Sequence, residues 1–258
     1  MKRRADPAPC HLQGLNVLVT RPAEQAAAFA EKVSAAHGRP VTFPALEILG
    51  PADKQAVRRQ LARLDQVDLL LFVSANAVRY AFPQMPEQIP LDLRVAAVGE
   101  ATARALEAVG LDPTLVPQDG CDSEALLALP ELQQVAGWNI LIVRGDSGRE
   151  LLRDTLSARG ARVEYVEVYR RRLPERNPAN LVRNWDRLVD VVTVTSVQIL
   201  DNLVTLLGEE GTQRLRETPL VVASERIARR AAEHGCGEVH VADSALDADM
   251  LAALCRFA

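Results

Sequence analysis

The sequence predicts an α/β protein made of two similar, doubly wound parallel-sheet lobes, and three observations carry that expectation. Short continuous apolar runs alternate with segments of helical spacing, the pattern of parallel strands covered by helices on both faces. The pattern occurs twice: NVLVTRPAEQAAAFAEKVSAAHGRPVTFPALE, from Asn16 to Glu47, has a counterpart in NILIVRGDSGRELLRDTLSARGARVEYVEVY, from Asn139 to Tyr169. The offset between the copies holds along the chain: Arg21 and Arg144 are 123 positions apart, Ser74 and Ser196 are 122 apart, and Gly110 and Gly235 are 125 apart. A register kept over four successive elements indicates an internal duplication rather than a short-period solenoid.

The elements follow in order. Val17–Thr20 is an apolar strand, and Ala23–Ala36 is a helix that stops before Gly38 and leads into a second strand-like run. Leu69–Val73 and Val95–Val98 are strands, and Ala101–Val109 is a helix ending at Gly110. Ile140–Val143, Val189–Val194 and Leu220–Val222 repeat the strands in the second copy. Glycines at the helix ends (Gly38, Gly110, Gly160, Gly235) suit the left-handed cap conformation. Two Pro-containing polar segments, TFPALEILGPAD and EYVEVYRRRLPERNPAN, follow corresponding strands and are candidate crossings between lobes. Sequence alone permits tandem lobes, or lobes that exchange their first strand and helix through these crossings.

A chain of 258 residues, 48% apolar, has enough material for two cores. A net charge of −4 leaves no basic surplus to neutralise phosphates, which argues against a nucleic-acid partner. No apolar run approaches the roughly 18 residues of a membrane span. The start, MKRRADPAPCHLQG, lacks an apolar signal core, so residues 1–13 read as a loose tail and the expected location is the cytoplasm. Cys10, Cys121, Cys236 and Cys255 form no Cys-x-x-Cys pair and no cluster with histidine, so no metal site is expected. No long apolar stripe demands a partner, and a monomer is expected.

In an open parallel sheet, ligands bind beyond the carboxyl ends of the strands. Those ends read Thr20-Arg21-Pro22, Ser74-Ala75-Asn76, Gly99-Glu100-Ala101-Thr102, Arg144-Gly145-Asp146-Ser147-Gly148-Arg149, Thr195-Ser196 and Ser224-Glu225-Arg226, while DGCDSEALLAL puts Ser123 at a helix start. Small hydroxyl residues and glycines leave helix N-terminal N–H groups facing a ligand, and Arg21, Arg144 and Arg149 add full positive charge. The simpler reading of the serines is as helix caps, with Ser147–Glu150 fitting a capping box. No Gly-x-Gly-x-x-Gly, Walker lysine or Gly-x-Ser-x-Gly elbow is present, and none of His11, His37, His234 or His240 lies at a strand end. His37 and His234 stand beside helix-ending glycines as cap residues. The pattern describes an anion cleft whose chemistry rests on positioning and electrostatics. Tyr169, in a crossing segment, is the remaining protic candidate.

These residues resemble the uroporphyrinogen-III synthase family (HemD-like). The carriers are VLVTRP, FVSANAVR, AVGEATARAL, DSEALLALPEL, ILIVRGDSGRELLRDTLSARGARVEYVEVYRR, TVTSVQILDNL and VVASERIA, in order over about residues 15 to 250. The resemblance implies the exchanged wiring: residues 1–43 and 171–258 form lobe 1, 44–170 form lobe 2, and two extended crossings join them with a cleft between. It implies a lyase that cyclises hydroxymethylbilane, a linear tetrapyrrole bearing acetate and propionate groups, with loss of water and inversion of ring D through a spiro intermediate. It implies no cofactor, and a passing contact with hydroxymethylbilane synthase. Tyr169 would lie at the hinge, face the cleft and donate a proton or a hydrogen bond to the departing hydroxyl. Substrate contacts are expected from Thr20, Arg21, Ser74, Asn76, Gly99, Thr102, Ser123, Arg144, Gly145, Ser147, Arg149, Thr195, Ser196, Ser224 and Arg226. The rival expectation is a two-lobe anion-binding protein without catalysis.

Overall fold

The structure is a computed structural model, and it describes residues 11–118, 120 and 122–257. Residues 1–10 of the expected tail, with Cys10, and also Cys121, lie outside the described residues. The chain first lays down β1 (Asn16–Val19), α1 (Ala23–Ala35) and β2 (Arg39–Thr42). It then builds β3 (Glu47–Leu49), α2 (Lys54–Leu61), β4 (Leu69–Phe72), α3 (Ala75–Ala81), β5 (Arg94–Ala97), α4 (Glu100–Glu107), α5 (Ser123–Leu127), β6 (Asn139–Gly145), α6 (Leu151–Ala158) and β7 (Arg162–Arg172). It finishes with α7 (Ala179–Arg183), α8 (Trp185–Leu188), β8 (Val191–Val194), α9 (Val197–Glu217), β9 (Leu220–Val222), α10 (Glu225–Glu233), β10 (Val239–Val241) and α11 (Asp247–Phe257).

Two compact units result. One holds the described residues through Glu47 together with those from Arg172 onward, and the other is Ile48–Arg171. The first unit has a five-stranded sheet in the order β10-β9-β8-β1-β2, with all four neighbouring pairs parallel. The second has a five-stranded sheet in the order β3-β7-β6-β4-β5, in which β7-β6, β6-β4 and β4-β5 are parallel.

The residue pattern explains these sheets. Every residue of β4 and of β8 is buried, as a strand covered on both faces requires. Alternation divides β4 between two cores: Leu70 and Phe72 pack with α2, α3 and α4 residues such as Leu61, Val78 and Leu106, while Leu69 and Leu71 pack with α5 and α6 residues such as Leu126, Leu152 and Leu156. In the first unit Phe29 and Val33 of α1 pack against Val17–Val19 and Val191–Val192.

Three local expectations are corrected. The loose tail does not reach Leu12, which is fully buried and whose N–H donates to the Ala36 carbonyl at 2.7 Å. Its apolar side chain fills space in the core of the first unit. The left-handed position after α1 is taken by His37 (φ 62°), not Gly38. Gly38 is needed for room instead, because a Cβ there would lie 2.8 Å from both Leu12 and Val33. Gly110, Gly160 and Gly235 do take positive φ. The capping box over Ser147–Glu150 does not form, since α6 begins only at Leu151 and has no side-chain cap. Glu150 is drawn away by stronger partners.

Candidate functional site

In the second unit, β4, β5 and β6 end side by side in parallel register, and a cavity of about 250 Å³ opens past them. Val73 and Val98, the residues after β4 and β5, form its apolar lining with Ile142 and Leu152. Asp122, Tyr165, Ser123, Arg144, Ser147 and Arg149 supply the polar lining, and the last four are sequence-predicted contacts that converge on one place.

Arg144 is only 5% exposed. Its Nη1 donates to Glu150 Oε1 at 2.9 Å, its Nε donates to the Gly145 carbonyl at 3.2 Å, and its guanidinium lies 4.3 Å over the Tyr165 ring. Gly148 takes φ 149° and passes so near that a Cβ would be 3.0 Å from Arg144 Nη2. Glu150 is the hub, receiving Arg144 Nη1, Arg153 Nη2 at 2.9 Å and the Tyr165 hydroxyl at 2.9 Å. The Tyr165 hydrogen bond, followed by that from Arg144, holds the Glu150 carboxyl below its ordinary pKa. Burial, then the hydrogen bond to Glu150, pushes the Tyr165 phenol up. The Arg149 partner is Glu124 at 2.8 Å, with both side chains exposed, so that pair exchanges readily for an incoming anion.

A second cluster is built around Tyr169, which packs in the core of Leu70 and Phe72 rather than in the one that holds the cavity residues Ile142 and Leu152. The Tyr169 ring is buried, with 1% of the residue exposed. Its hydroxyl is 3.3 Å from Ser74 Oγ and accepts from Arg171 Nη2 at 3.3 Å. Ser74 caps α3, accepting the Ala77 N–H at 3.1 Å, and Asn76 lies in the first turn of that helix. Gly99 stands at the N-cap of α4 with no side-chain cap bond, and Thr102, inside α4, is buried. Ser123 is not a cap. Asp122 holds that position, accepting the Ala125 N–H at 2.8 Å, and Ser123 is the first helical residue.

The first unit uses its strand ends differently. Thr20 is fully buried and its hydroxyl donates to the Thr193 carbonyl at 2.6 Å. Arg21, expected to face a ligand, is turned inward: Nη1 pairs with Asp247, Nη2 donates to the Ala245 carbonyl at 3.0 Å, and the guanidinium lies 4.5 Å from the Phe29 ring. Its charge is already met, which removes the physical basis for an anion-binding role. Thr195 and Ser196 follow β8, where Ser196 caps α9 by accepting the Ile199 N–H at 3.2 Å. Ser224 is the N-cap of α10 without a side-chain cap bond, and Arg226 is exposed on that first turn.

Sequence reasoning missed Asp122, Tyr165 and Arg171, and it had Gly148 only as part of a strand-end loop and Glu150 only as part of a capping box. Of those missed outright, only Tyr165 carried a signal, as an aromatic four residues before Tyr169 on the same strand; the others depend on tertiary contacts. Among the described residues, no His, Cys, Asp and Glu side chains group so that they could hold a metal ion. No described helix is long and apolar enough to cross a membrane.

The same architecture and sequence pattern occur in known proteins. The family model described as uroporphyrinogen-III synthase HemD matches residues 27–252. The uroporphyrinogen-III synthase of Escherichia coli K12 is 37% identical over 245 residues, 93% of this chain and 100% of that protein. That of Salmonella typhimurium is 36% identical, with 93% of this chain and 100% of the relative covered. Among solved structures, a mutant uroporphyrinogen III synthase from the extremely thermophilic bacterium Thermus thermophilus superposes with TM-score 0.62 at 22% identity, covering 93% of this chain and 97% of that one. The Helicobacter pylori uroporphyrinogen-III synthetase gives TM-score 0.62 at 13% identity, covering 95% and 100%. The two structures bear on the fold, which is α/β with parallel sheets.

Proposed function

The chain belongs to the uroporphyrinogen-III synthase family, and from that premise we propose how its residues carry out the reaction. The activity is that of a cyclising lyase of tetrapyrrole biosynthesis, closing hydroxymethylbilane to uroporphyrinogen III with loss of water. The observation that carries the mechanism is the convergence of Arg144, Arg149, Ser123 and Ser147 on one cavity at the strand ends. Carboxylates of the substrate are held there by charge-assisted hydrogen bonds. Thr195, Ser196, Ser224 and Arg226, at the strand ends of the first unit, are proposed as further contacts for carboxylates.

The Tyr169 hydroxyl gives its proton to the ring-A hydroxymethyl oxygen as the carbon–oxygen bond breaks, so that water leaves and a cation remains. The substituted position of ring D attacks that cation, forming the spiro intermediate that rearranges with ring D inverted. The phenolate recovers a proton lost from the ring system on closure. Placing the side-chain carboxylates decides which ring-D carbon meets the cation, so most of the catalysis is positional. The protein acts as a cytoplasmic monomer and receives its unstable substrate in passing contact with hydroxymethylbilane synthase.

The test is a coupled assay. Freshly generated hydroxymethylbilane is supplied, the products are oxidised, and the type I and type III uroporphyrin isomers are separated. Type III predominates if the reading holds. Type I alone would overturn it and leave a two-lobe anion-binding protein.

A further inference from the structure

We propose that Gly145 is a positioning residue for the Tyr169 hydroxyl, a proposal that rests on the proton-donor role assigned to Tyr169 above. Strands β6 and β7 pair in simple register from Asn139↔Arg162 to Arg144↔Glu167, and then the register shifts so that Gly145 stands opposite Tyr169. The shift is pinned on both sides: the Asp146 N–H donates to the Tyr169 carbonyl at 2.9 Å, and the Arg171 N–H donates to Asp146 Oδ1 at 3.1 Å. Irregularities of this kind re-aim a side chain at a strand end.

The glycine makes the shift possible. A Cβ at position 145 would lie 2.5 Å from Tyr169 Cε2 and 2.6 Å from Cζ, far inside carbon–carbon contact of about 3.5–4.0 Å. Gly145 does not take a positive φ, so space rather than backbone freedom explains the residue. The ring cannot retreat cheaply, because Tyr169 belongs to the same buried cluster as Phe72, Val143 and Val168. A shift of about 1 Å would break both hydroxyl contacts, which at 3.3 Å are already at the long end of hydrogen-bond geometry. Gly145, expected from sequence to bind substrate, instead serves to seat the catalytic ring.

The test uses Tyr169→Phe, Gly145→Ala, the two combined, and Gly145→Ala with Tyr169→Val. Initial rates with hydroxymethylbilane, isomer separation and thermal melting are measured for each. Tyr169→Phe is expected to lower kcat by about 100-fold with KM within about twofold. Gly145→Ala should lower kcat similarly through kcat rather than KM, and the combination should be no slower than either alone. Gly145→Ala/Tyr169→Val should regain the melting temperature but not kcat. A slow Tyr169→Phe beside a fully active Gly145→Ala overturns the positioning role alone. Full rate in Tyr169→Phe overturns the proton-donor reading and this proposal with it. If Gly145→Ala does not fold, the Tyr169→Val background must restore folding, and failure there shows that something other than the ring requires the glycine.

Discussion

Replacing Asp247 by Ala would strand a buried cation. Arg21 is 5% exposed, and the Asp247 side chain is about one-fifth exposed. Arginine cannot shed its proton, so the charge stays when its partner goes. Arg21 Nε already has no acceptor and no solvent contact, which leaves the Ala245 carbonyl and the Phe29 ring as the remaining support. Removing one member of a buried pair costs about 3–5 kcal/mol, and partial exposure of Asp247 reduces this to about 2–3 kcal/mol. Lys32 also touches Asp247, at 2.8 Å, but its side chain is half exposed and adds little. At about 2–4 °C per kcal/mol for a chain of this size, the melting temperature should fall by about 4–12 °C. Burial raises the Asp247 pKa, but hydrogen bonds from Lys32 and Arg21 outweigh it and leave the carboxyl below its ordinary value. A depressed folded pKa stabilises above the unfolded value of about 3.9 and is lost as pH falls through the folded value. The gap between wild type and Asp247→Ala, followed by calorimetry from pH 7 downward, should therefore stay constant to about pH 4 and then close. A drop below about 1 °C at pH 7, or a gap that widens on acidification, would refute the reasoning.

Two other outcomes follow from the structure. Arg144→Ala should raise KM for hydroxymethylbilane by about tenfold, with kcat changed less, because it removes a charged hydrogen-bond donor that serves ground and transition states alike. Steady-state kinetics check this, and an unchanged KM would take Arg144 out of the site. Thr218→Val removes the acceptor of the buried Trp185 Nε1–H, now 2.9 Å away. It should cost about 1–3 kcal/mol, seen as a lower urea midpoint followed by tryptophan fluorescence.

Much of the sheet architecture was legible in the sequence because a parallel strand buried on both faces leaves an unbroken apolar run. Leu69–Phe72 is such a run, Val191–Val194 is one interrupted only by the buried Thr193, and both are interior strands. Short strands at sheet margins, β3 with three residues and β10 with three, carry too few apolar residues to stand out. Arg144 and Ser147 were legible as strand-end residues, because topology alone sends them to one side of the sheet, and Ser123 as the start of a helix. What they touch was not. The Ser147–Glu150 spacing fits a cap, but an ionised Glu150 gains more from three donors than from one backbone N–H. The register shift that seats Tyr169 leaves no periodic trace at all, only a glycine that also suits a turn.

Arg21 and Arg144 show how sequence equivalence parts from chemical equivalence. Arg21 lies two residues beyond β1 and Arg144 is the penultimate residue of β6, and both are 5% exposed with an acid and an aromatic ring as neighbours. The Arg21 acid comes from Asp247, at the start of the terminal helix α11, and together with the Ala245 carbonyl it occupies both terminal nitrogens while Nε is enclosed. With 6% of the side chain exposed, little of that guanidinium can be reached by a ligand. The Arg144 acid is only six residues away, its side chain is 44% exposed, and it divides its oxygens among Arg144, Arg153 and Tyr165. That grips Arg144 by one edge while the residue lines a cavity. One arginine is therefore a clamp on the fold, while the other lines a cavity where the proposed substrate contact is made, so Arg21→Ala should register in melting temperature and Arg144→Ala in KM.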